Sequence, residues 1–172
     1  VADPHGWDVC MRKIMIADDF KCSETRPITD IHFWISFKDD IVDEVLRWEV
    51  MICEDSDSGP GHVLWKLGEA KVDLRIEEPS MQGWICPCNI SEDCDQVIPN
   101  NHSWYAQVNI TQIAEPFKQE KDKVYWLVIH AAATIYETAE AQPEVGWKTT
   151  PAQSRWRSYA VWNTWPDVSS RI

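Results

Sequence analysis

The chain has 172 residues, a formal net charge of −12 at pH 7 and 44% hydrophobic residues, a length and composition that fit one domain, residues 1–172, with a substantial core. The acidic balance, without any run of Lys or Arg, excludes nucleic acid and anionic membrane surfaces as partners, because both require clustered cations. No apolar run reaches the roughly 18 residues that a membrane span needs.

The chain begins at Val1, for which removal of a signal peptide is the simplest explanation. We expect residues 1–9 to form an N-terminal arm or a strand exchanged with a neighbouring copy, because an extended segment can add to an open sheet edge. Repeated from copy to copy, such a contact would build a filament.

Alternation of apolar and polar residues recurs along the chain and predicts at least six strands. The single helical candidate, TQIAEPFKQEKDK, is limited to about one turn by Pro116. Turn-rich segments separate the strands by about 8–15 residues, which is typical of a sandwich. We therefore predict an all-β, single-domain antiparallel β-sandwich with at most one short helical turn. The strand segments are ITDIHFWISF, VLRWEVMICE, AKVDLRIEE, SWYAQVNI, KVYWLVIHA and RWRSYAVW, with KIMIADDF and HVLWKL as further candidates.

The cysteine count is even, which indicates disulfides formed in an oxidising compartment. We expect one bridge between Cys10 and Cys22, and a second within ICPCNISEDC that joins Cys94 to Cys86 or Cys88. The six cysteines are Cys10, Cys22, Cys53, Cys86, Cys88 and Cys94.

Two segments are candidate metal sites. Asp55 and Asp57 lie in a D-x-D-x-G sequence that directs alternate oxygens towards one Ca²⁺ ion. The segment lacks the remaining carboxylates of a complete loop, so a solvated acidic turn is the favoured interpretation. A zinc site from Cys86, Cys88, Cys94 and His102 is the weaker alternative to disulfides, because zinc sites usually separate a close Cys pair by two to four residues.

Asparagine usage also indicates secretion. Three of the five Asn residues begin an N-x-S/T sequon, and all three lie within 21 residues. Asn89, Asn101 and Asn109 are therefore candidate glycosylation sites. Together with the cysteines they predict a secreted or cell-surface protein.

The eleven Trp residues outnumber Gly, Tyr and Phe individually. Burial is the favoured interpretation for any single Trp, but Trp34 points away from the apolar face of its strand. Exposed aromatic rings stack on sugars and anchor protein interfaces. Candidate contact residues of this kind are Trp34, Trp104, Trp156 and Trp162.

Five segments form a pattern that extends over roughly residues 7 to 165: ADDFKCSETRPITDIHFWISF, PGHVLW, VYWL, GWKTT and YAVW. Together they resemble a family of uncharacterised secreted prokaryotic β-sandwich domains. The resemblance implies a jelly-roll-like sandwich similar in architecture to carbohydrate-binding modules, and it implies no catalytic residues. The sequons and ICPCNISEDC lie outside the pattern.

We expect a non-catalytic extracellular structural or surface module, a subunit that assembles with copies of itself into a filament or layer. The alternative is a carbohydrate-binding module that binds extracellular polysaccharide through Trp34 or Trp104. A secreted glycoside hydrolase ranks last, because its two carboxylates must face each other across a cleft, whereas neighbours such as Asp18 and Asp19 point to opposite faces of a strand. No enzyme motif is present, and calcium is the one candidate cofactor.

Overall fold

The computed structural model describes residues 5–11, 14–42, 47–86, 97–132, 144–149 and 160–163. In this part of the chain the regular structure is β-strand, apart from one 3-10 turn at Lys38–Asp40, and the predicted all-β fold is confirmed. The strands are β1 (Trp7–Cys10), β2 (Met15–Lys21), β3 (Arg26–Pro27), β4 (Ile31–Phe37), β5 (Arg47–Ser56), β6 (Gly59–Lys66), β7 (Lys71–Ile76), β8 (Gln82–Ile85), β9 (Val97–His102), β10 (Tyr105–Thr111), β11 (Lys118–Gln119), β12 (Val124–Ala132), β13 (Val145–Lys148) and β14 (Val161–Asn163).

Two sheets form the body of a β-sandwich. The larger sheet has the strand order β7-β10-β4-β13-β1-β8-β9, and the smaller has the order β14-β2-β12-β5-β6. The described pairs are antiparallel except β1–β8, which is parallel. A two-stranded ribbon of β3 and β11 completes the fold.

The core lies between the sheets, where alternate side chains of each strand meet. The larger sheet contributes Phe33, Ile35 and Val108, and the smaller contributes Val50 and Ile129, all at most 2% exposed. Full burial of an apolar side chain of this size stabilises the fold by about 1.5–3 kcal/mol. The period-two pattern of the sequence is therefore the alternation between the core and the outer face of each sheet.

The smaller sheet is also buried on its outer face. Met51, Cys53, Trp126 and Val128 form a second apolar cluster there with Ala17, and each is at most 4% exposed. Because both faces of β12 are covered, residues 124–132 are almost continuously apolar rather than alternating.

The predicted helical turn in residues 111–123 is wrong. Its two apolar residues, four positions apart, have separate partners: Ile113 packs into the core, whereas the Phe117 ring stacks edge-on against Tyr125 at 5.1 Å. The short 3-10 turn lies instead at Lys38–Asp40. Within the described residues, no helix has the length and apolar character needed to cross a membrane.

The N-terminal strand β1 lies inside the larger sheet. It pairs with β13 on one side and with β8 on the other, so that Asp8 is opposite both Lys148 and Trp84. From Trp7 onwards the chain therefore completes its own sheet. Residues 1–4, the remainder of the predicted arm, lie outside the described residues.

Candidate interaction surface

Strand β7 is an open edge of the larger sheet. It is the last strand in the order and pairs only with β10 among the described strands. All six residues, Lys71–Ile76, are exposed. An exposed edge strand presents backbone N–H and C=O groups to which a further strand can bond.

One side of β7 is apolar and lies beyond the cover of the smaller sheet. Val72, Leu74 and Ile76 are 44%, 44% and 54% exposed. Their cross-strand partners on β10 belong to the core and are almost fully buried. The row therefore continues the core side of the sheet into solvent, as a contiguous apolar surface next to a free backbone edge.

The other side of β7 carries charges of alternating sign. Lys71 and Asp73 form an ion pair with a 2.6 Å Nζ–Oδ2 distance, and Arg75 forms a second with Glu77 at 2.6 Å between Nη2 and Oε1. Exposed pairs such as Lys71–Asp73 each contribute well under about 1 kcal/mol to folding. Because these ion pairs contribute little to folding, Lys71, Asp73, Arg75 and Glu77, which alternate in sign, can form ion pairs with another molecule instead.

The other edge strands carry features that hinder pairing. Strand β9 contains Pro99, which lacks an N–H, and Asn100 with a φ of 53°. Strand β6 contains Pro60, and its register against β5 shifts twice. Strand β14 has three residues. Proline, bulges and shortness are three of the means by which proteins protect sheet edges, and β7 has none of these three.

The predicted contact tryptophans are in different settings. Trp34 lies on the outer face of the larger sheet, half-buried, in a row with Gln107 and Arg75. Trp104 is 45% exposed. Trp156 lies outside the described residues, and for Trp162 only the backbone in β14 is described.

Asp40 fixes the backbone beside Trp104. Its Oδ1 accepts hydrogen bonds from the N–H groups of Ser103 at 2.9 Å and Trp104 at 2.8 Å, and its Oδ2 accepts one from the Ser103 hydroxyl at 3.1 Å. Desolvation raises the pKa of Asp40, but these hydrogen bonds and the nearby His102 outweigh it and lower the pKa.

Two of the three sequons are described. Asn101 is half-buried, and its Nδ2 lies 3.5 Å from Asp39 Oδ1. Asn109 is also half-buried, with its Nδ2 donating to the Gln107 carbonyl at 3.2 Å and its Oδ1 at 2.7 Å from a His32 ring nitrogen. Asn89 lies outside the described residues. Glycosylation stays a prediction at all three.

The predicted Cys10–Cys22 bridge is wrong. Cys10 lies on the outer face of the larger sheet, where its thiol contacts Glu144 Oε2 at 3.6 Å, whereas the Cys22 thiol lines a cavity and contacts Gln119 Oε1. The chain passes from one sheet to the other between them, which separates two cysteines that are close in sequence. None of the four described cysteines lies at bonding distance from another.

The remaining cysteines divide between described and undescribed segments. Cys88 and Cys94 lie outside the described residues, so the predicted bridge in ICPCNISEDC is untested, and Cys86 is half-buried. Cys53 is buried in the apolar cluster of the smaller sheet. Burial, with the neighbouring Glu54 carboxylate as the second cause, raises the pKa of the Cys53 thiol to about 11.

The candidate calcium residues occupy the β5–β6 hairpin. Asp55 Oδ1 accepts a hydrogen bond from the Trp126 indole at 2.9 Å, Asp57 is exposed, and Gly59 has a φ of 113°. The D-x-D-x-G rhythm is that of a tight turn. No group of three or more metal-ligating side chains converges among the described residues.

A cavity of about 580 Å³ opens at the end of the sandwich covered by the β3–β11 ribbon. Its apolar floor includes Phe20 and Leu127, and its rim includes Arg26, Asp30 and His32. His32 lies 2.9 Å from Asp30 Oδ2. Hydrogen bonds from Thr29 and His32 lower the pKa of Asp30, which stays ionised at the cavity mouth.

The outer face of the larger sheet holds a group of buried polar residues that the sequence patterns do not reveal. We call Asp8, Gln82, His102 and Lys148 the buried polar cluster; each is at most 4% exposed. Asp8 Oδ2 lies 3.2 Å from His102 Nε2 and 3.5 Å from Lys148 Nζ. The other His102 ring nitrogen lies 2.8 Å from Asn101 Oδ1, so neither nitrogen is available for the zinc site considered from the sequence.

Comparison with known proteins identifies one family. A family model described as a domain of unknown function (DUF7901) matches residues 2–171. No curated protein and no solved structure matches the chain.

Proposed function

The chain belongs to the DUF7901 family, whose function is unknown, and we propose that it is a non-catalytic extracellular structural module that pairs its strand β7 with β7 of a second copy. The observation that carries the proposal is the pattern of β7 itself, an unprotected edge whose apolar row and alternating charges are self-complementary.

The antiparallel β7–β7 register centred on Leu74 satisfies both sides of the strand over the greatest length of β7. When Leu74 lies opposite Leu74 of the second copy, Val72 lies opposite Ile76 and the apolar rows merge. In the same register Asp73 lies opposite Arg75, so opposite charges face each other. Lys71 and Glu77 form a further pair at each end.

The neighbouring register is unfavourable. A pair centred on Asp73 places two aspartates opposite each other and Lys71 opposite Arg75, and like charges directly opposite destabilise a sheet. A shift by a single residue turns apolar side chains of one copy onto the charged face of the other. Charge excludes these registers. A Val72-centred pair would match charges but would overlap only residues 71–73 of β7, so the Leu74-centred register, with two-fold symmetry, is favoured.

A two-fold pair is closed, so a filament or layer requires a second contact elsewhere on the molecule. Three sequons support an extracellular location. The described sequon at Asn101 lies within the protected edge strand β9, at the opposite end of the sheet from β7, and a glycan there would leave β7 open. The other described sequon, Asn109, lies on β10 opposite Asp73 of β7, so the proposed pair requires Asn109 without a glycan.

Replacement of Leu74 with Asp tests the interface, and Leu64→Asp is its matched control. Both leucines lie on edge strands and are almost equally exposed, 44% and 43%, but Leu64 is in β6. Sedimentation velocity should show self-association of the unchanged protein and of Leu64→Asp, with Leu74→Asp monomeric. A monomer at all concentrations before any substitution would refute the proposal, and so would dissociation by Leu64→Asp alone.

A charge swap tests the register. Asp73→Arg and Arg75→Asp each create like-charge pairs, twice because of the symmetry, and should weaken association on the order of tenfold. The double variant Asp73→Arg/Arg75→Asp restores opposite charges and should recover most of the affinity. Failure of the double variant to recover would exclude the Leu74-centred register.

The exposed Trp104 favours carbohydrate binding as the second candidate function. Its ring is 45% exposed on a backbone held by Asp40, which suits a platform for a sugar ring. Titration with soluble polysaccharides, followed by Trp fluorescence, should show saturation that Trp104→Ala abolishes and Leu74→Asp leaves intact. Binding that persists in Trp104→Ala would reject this site.

A further inference from the structure

The buried polar cluster is assembled by strand register. Lys148 on β13 lies directly opposite Asp8 on β1, and Trp84 on β8 lies opposite Asp8 from the other side. Gln82 is two residues before Trp84, so its side chain shares the face of Asp8 and Lys148. Three neighbouring strands thus bring an amine, a carboxyl group and a carboxamide together.

The contacts bring the three groups together. Lys148 Nζ contacts the carbonyl oxygen of the Gln82 side chain and lies 3.5 Å from Asp8 Oδ2. The Gln82 amide nitrogen points the other way and donates to the Ser80 carbonyl at 2.8 Å. The amine therefore meets the carbonyl side of the amide, with its nitrogen directed away.

The surroundings exclude water. Asp8 is fully buried, and the Trp84 indole is fully buried beside it. Asp8 Oδ1 is buried and has no hydrogen-bond partner among the described residues. An unpartnered oxygen costs more on an ionised carboxylate than on a neutral acid.

We propose that Lys148 and Gln82 condense to an intramolecular amide cross-link, with Asp8 as the proton carrier. Asp8 takes a proton from the Lys148 ammonium, which replaces a buried ion pair with two neutral groups. The neutral amine attacks Gln82 Cδ, a new C–N bond forms, and the bond from Cδ to Nε2 breaks.

The reaction balances without an oxidant, a reductant or a cofactor. The Gln82 nitrogen leaves as ammonia, having gained one hydrogen from the Lys148 amine, and Asp8 returns its proton to the departing ammonia. The product ties β13 to β8 across β1 and closes a loop between residues 66 positions apart. A neutral amide then occupies the place of a buried ammonium.

Intact-mass spectrometry of the full chain, produced without glycosylation and fully reduced, tests the proposal directly. The measured mass should be lower than the sequence mass by one molecule of ammonia. Tryptic digestion should then yield residues 76–118 joined to residues 124–155 through Lys148, which trypsin no longer cleaves. Asp8→Asn and Lys148→Met should restore the full mass, whereas Lys71→Met, on an exposed lysine of the same sheet, should keep the loss of ammonia.

Two outcomes would overturn the proposal. One is the full sequence mass for the unchanged protein, with the two peptides recovered separately. The other is loss of water instead of ammonia, with Lys148 joined to the peptide that carries Asp8. Because the readout is the mass of the monomer, it does not depend on whether β7 pairs.

Discussion

An edge strand and the interior strands of the larger sheet place charged residues of the same kinds in opposite environments. On the edge strand β7, Lys71 and Asp73 form an ion pair in which the side chains are 56% and 51% exposed. On the interior strands β13 and β1, Lys148 and Asp8 face each other with fully buried side chains. Both pairs lie on the outer face, so position in the sheet decides their environment: hydrated charges at the open edge and unscreened groups in the interior.

Removal of the lysine from each pair should give the largest difference. Lys148→Met removes one of the two nitrogens that contact the buried Asp8 Oδ2 and leaves His102 Nε2 as the other, and we expect the free energy of unfolding to fall by about 3–5 kcal/mol. Lys71→Met removes an exposed, screened pair and should change it by less than about 1 kcal/mol. Urea denaturation of both variants measures the contrast.

Equal losses from the two variants would contradict the comparison. They would mean that water reaches Lys148 as freely as Lys71, and the buried polar cluster would then have no special environment. An m-value unchanged from the unsubstituted protein is needed for the two free energies to be comparable.

The sequence predicts strands better than it predicts what covers them. Alternation located β4, β7 and β10, because a half-buried strand must alternate whatever it packs against. It also placed Val72, Leu74 and Ile76 on the inward side correctly, yet these residues remain exposed because β7 extends past the smaller sheet. Edge position depends on the order of strands, which is not encoded locally.

The buried polar cluster was missed for the opposite reason. Strands β1, β8 and β13 have four residues each, too few for a pattern, and their Asp, Gln and Lys residues are types that are almost always exposed. The pairing of Asp8 with Lys148 joins residues 140 positions apart, so only the folded sheet reveals it. The prediction of the Cys10–Cys22 disulfide fails for a similar reason: Cys22 is only twelve positions after Cys10, but the chain passes from one sheet to the other between them.

Substitutions at two glycines test the same comparison, with an expected change in the free energy of unfolding that is smaller than for Lys148→Met. A Cβ added at Gly146 on β13 would lie 2.8 Å from the Trp84 ring and 3.0 Å from the Asp8 Cβ, beside the buried polar cluster. We expect Gly146→Ala to destabilise the fold by about 1–3 kcal/mol through overpacking. The matched control is Gly68→Ala, since a Cβ there meets nothing within 4 Å and the effect should stay within about 0.5 kcal/mol.

Thermal unfolding followed by near-UV circular dichroism measures both glycine variants. A lower midpoint for Gly146→Ala with retention of the near-UV aromatic signal would indicate local adjustment. If Gly146→Ala were as stable as Gly68→Ala, the close packing of Trp84 over β13 would be disproved.

Asp40 is intermediate between the exposed charges of β7 and the buried charges of the polar cluster. It is exposed, but it accepts hydrogen bonds from the backbone N–H groups of Ser103 and Trp104. Its folded pKa is lowered, so its contribution to stability is present above the unfolded pKa of about 3.9 and is lost as pH falls through the folded value. Asp40→Asn, which tolerates the same φ of 57°, should reduce the free energy of unfolding by up to about 1 kcal/mol at neutral pH. The deficit should vanish in acid, as measured by urea denaturation across the pH range. A loss of stability that does not depend on pH would assign the effect to packing around Trp104. The carboxylate charge of Asp40 would then contribute as little to stability as the exposed charges on β7.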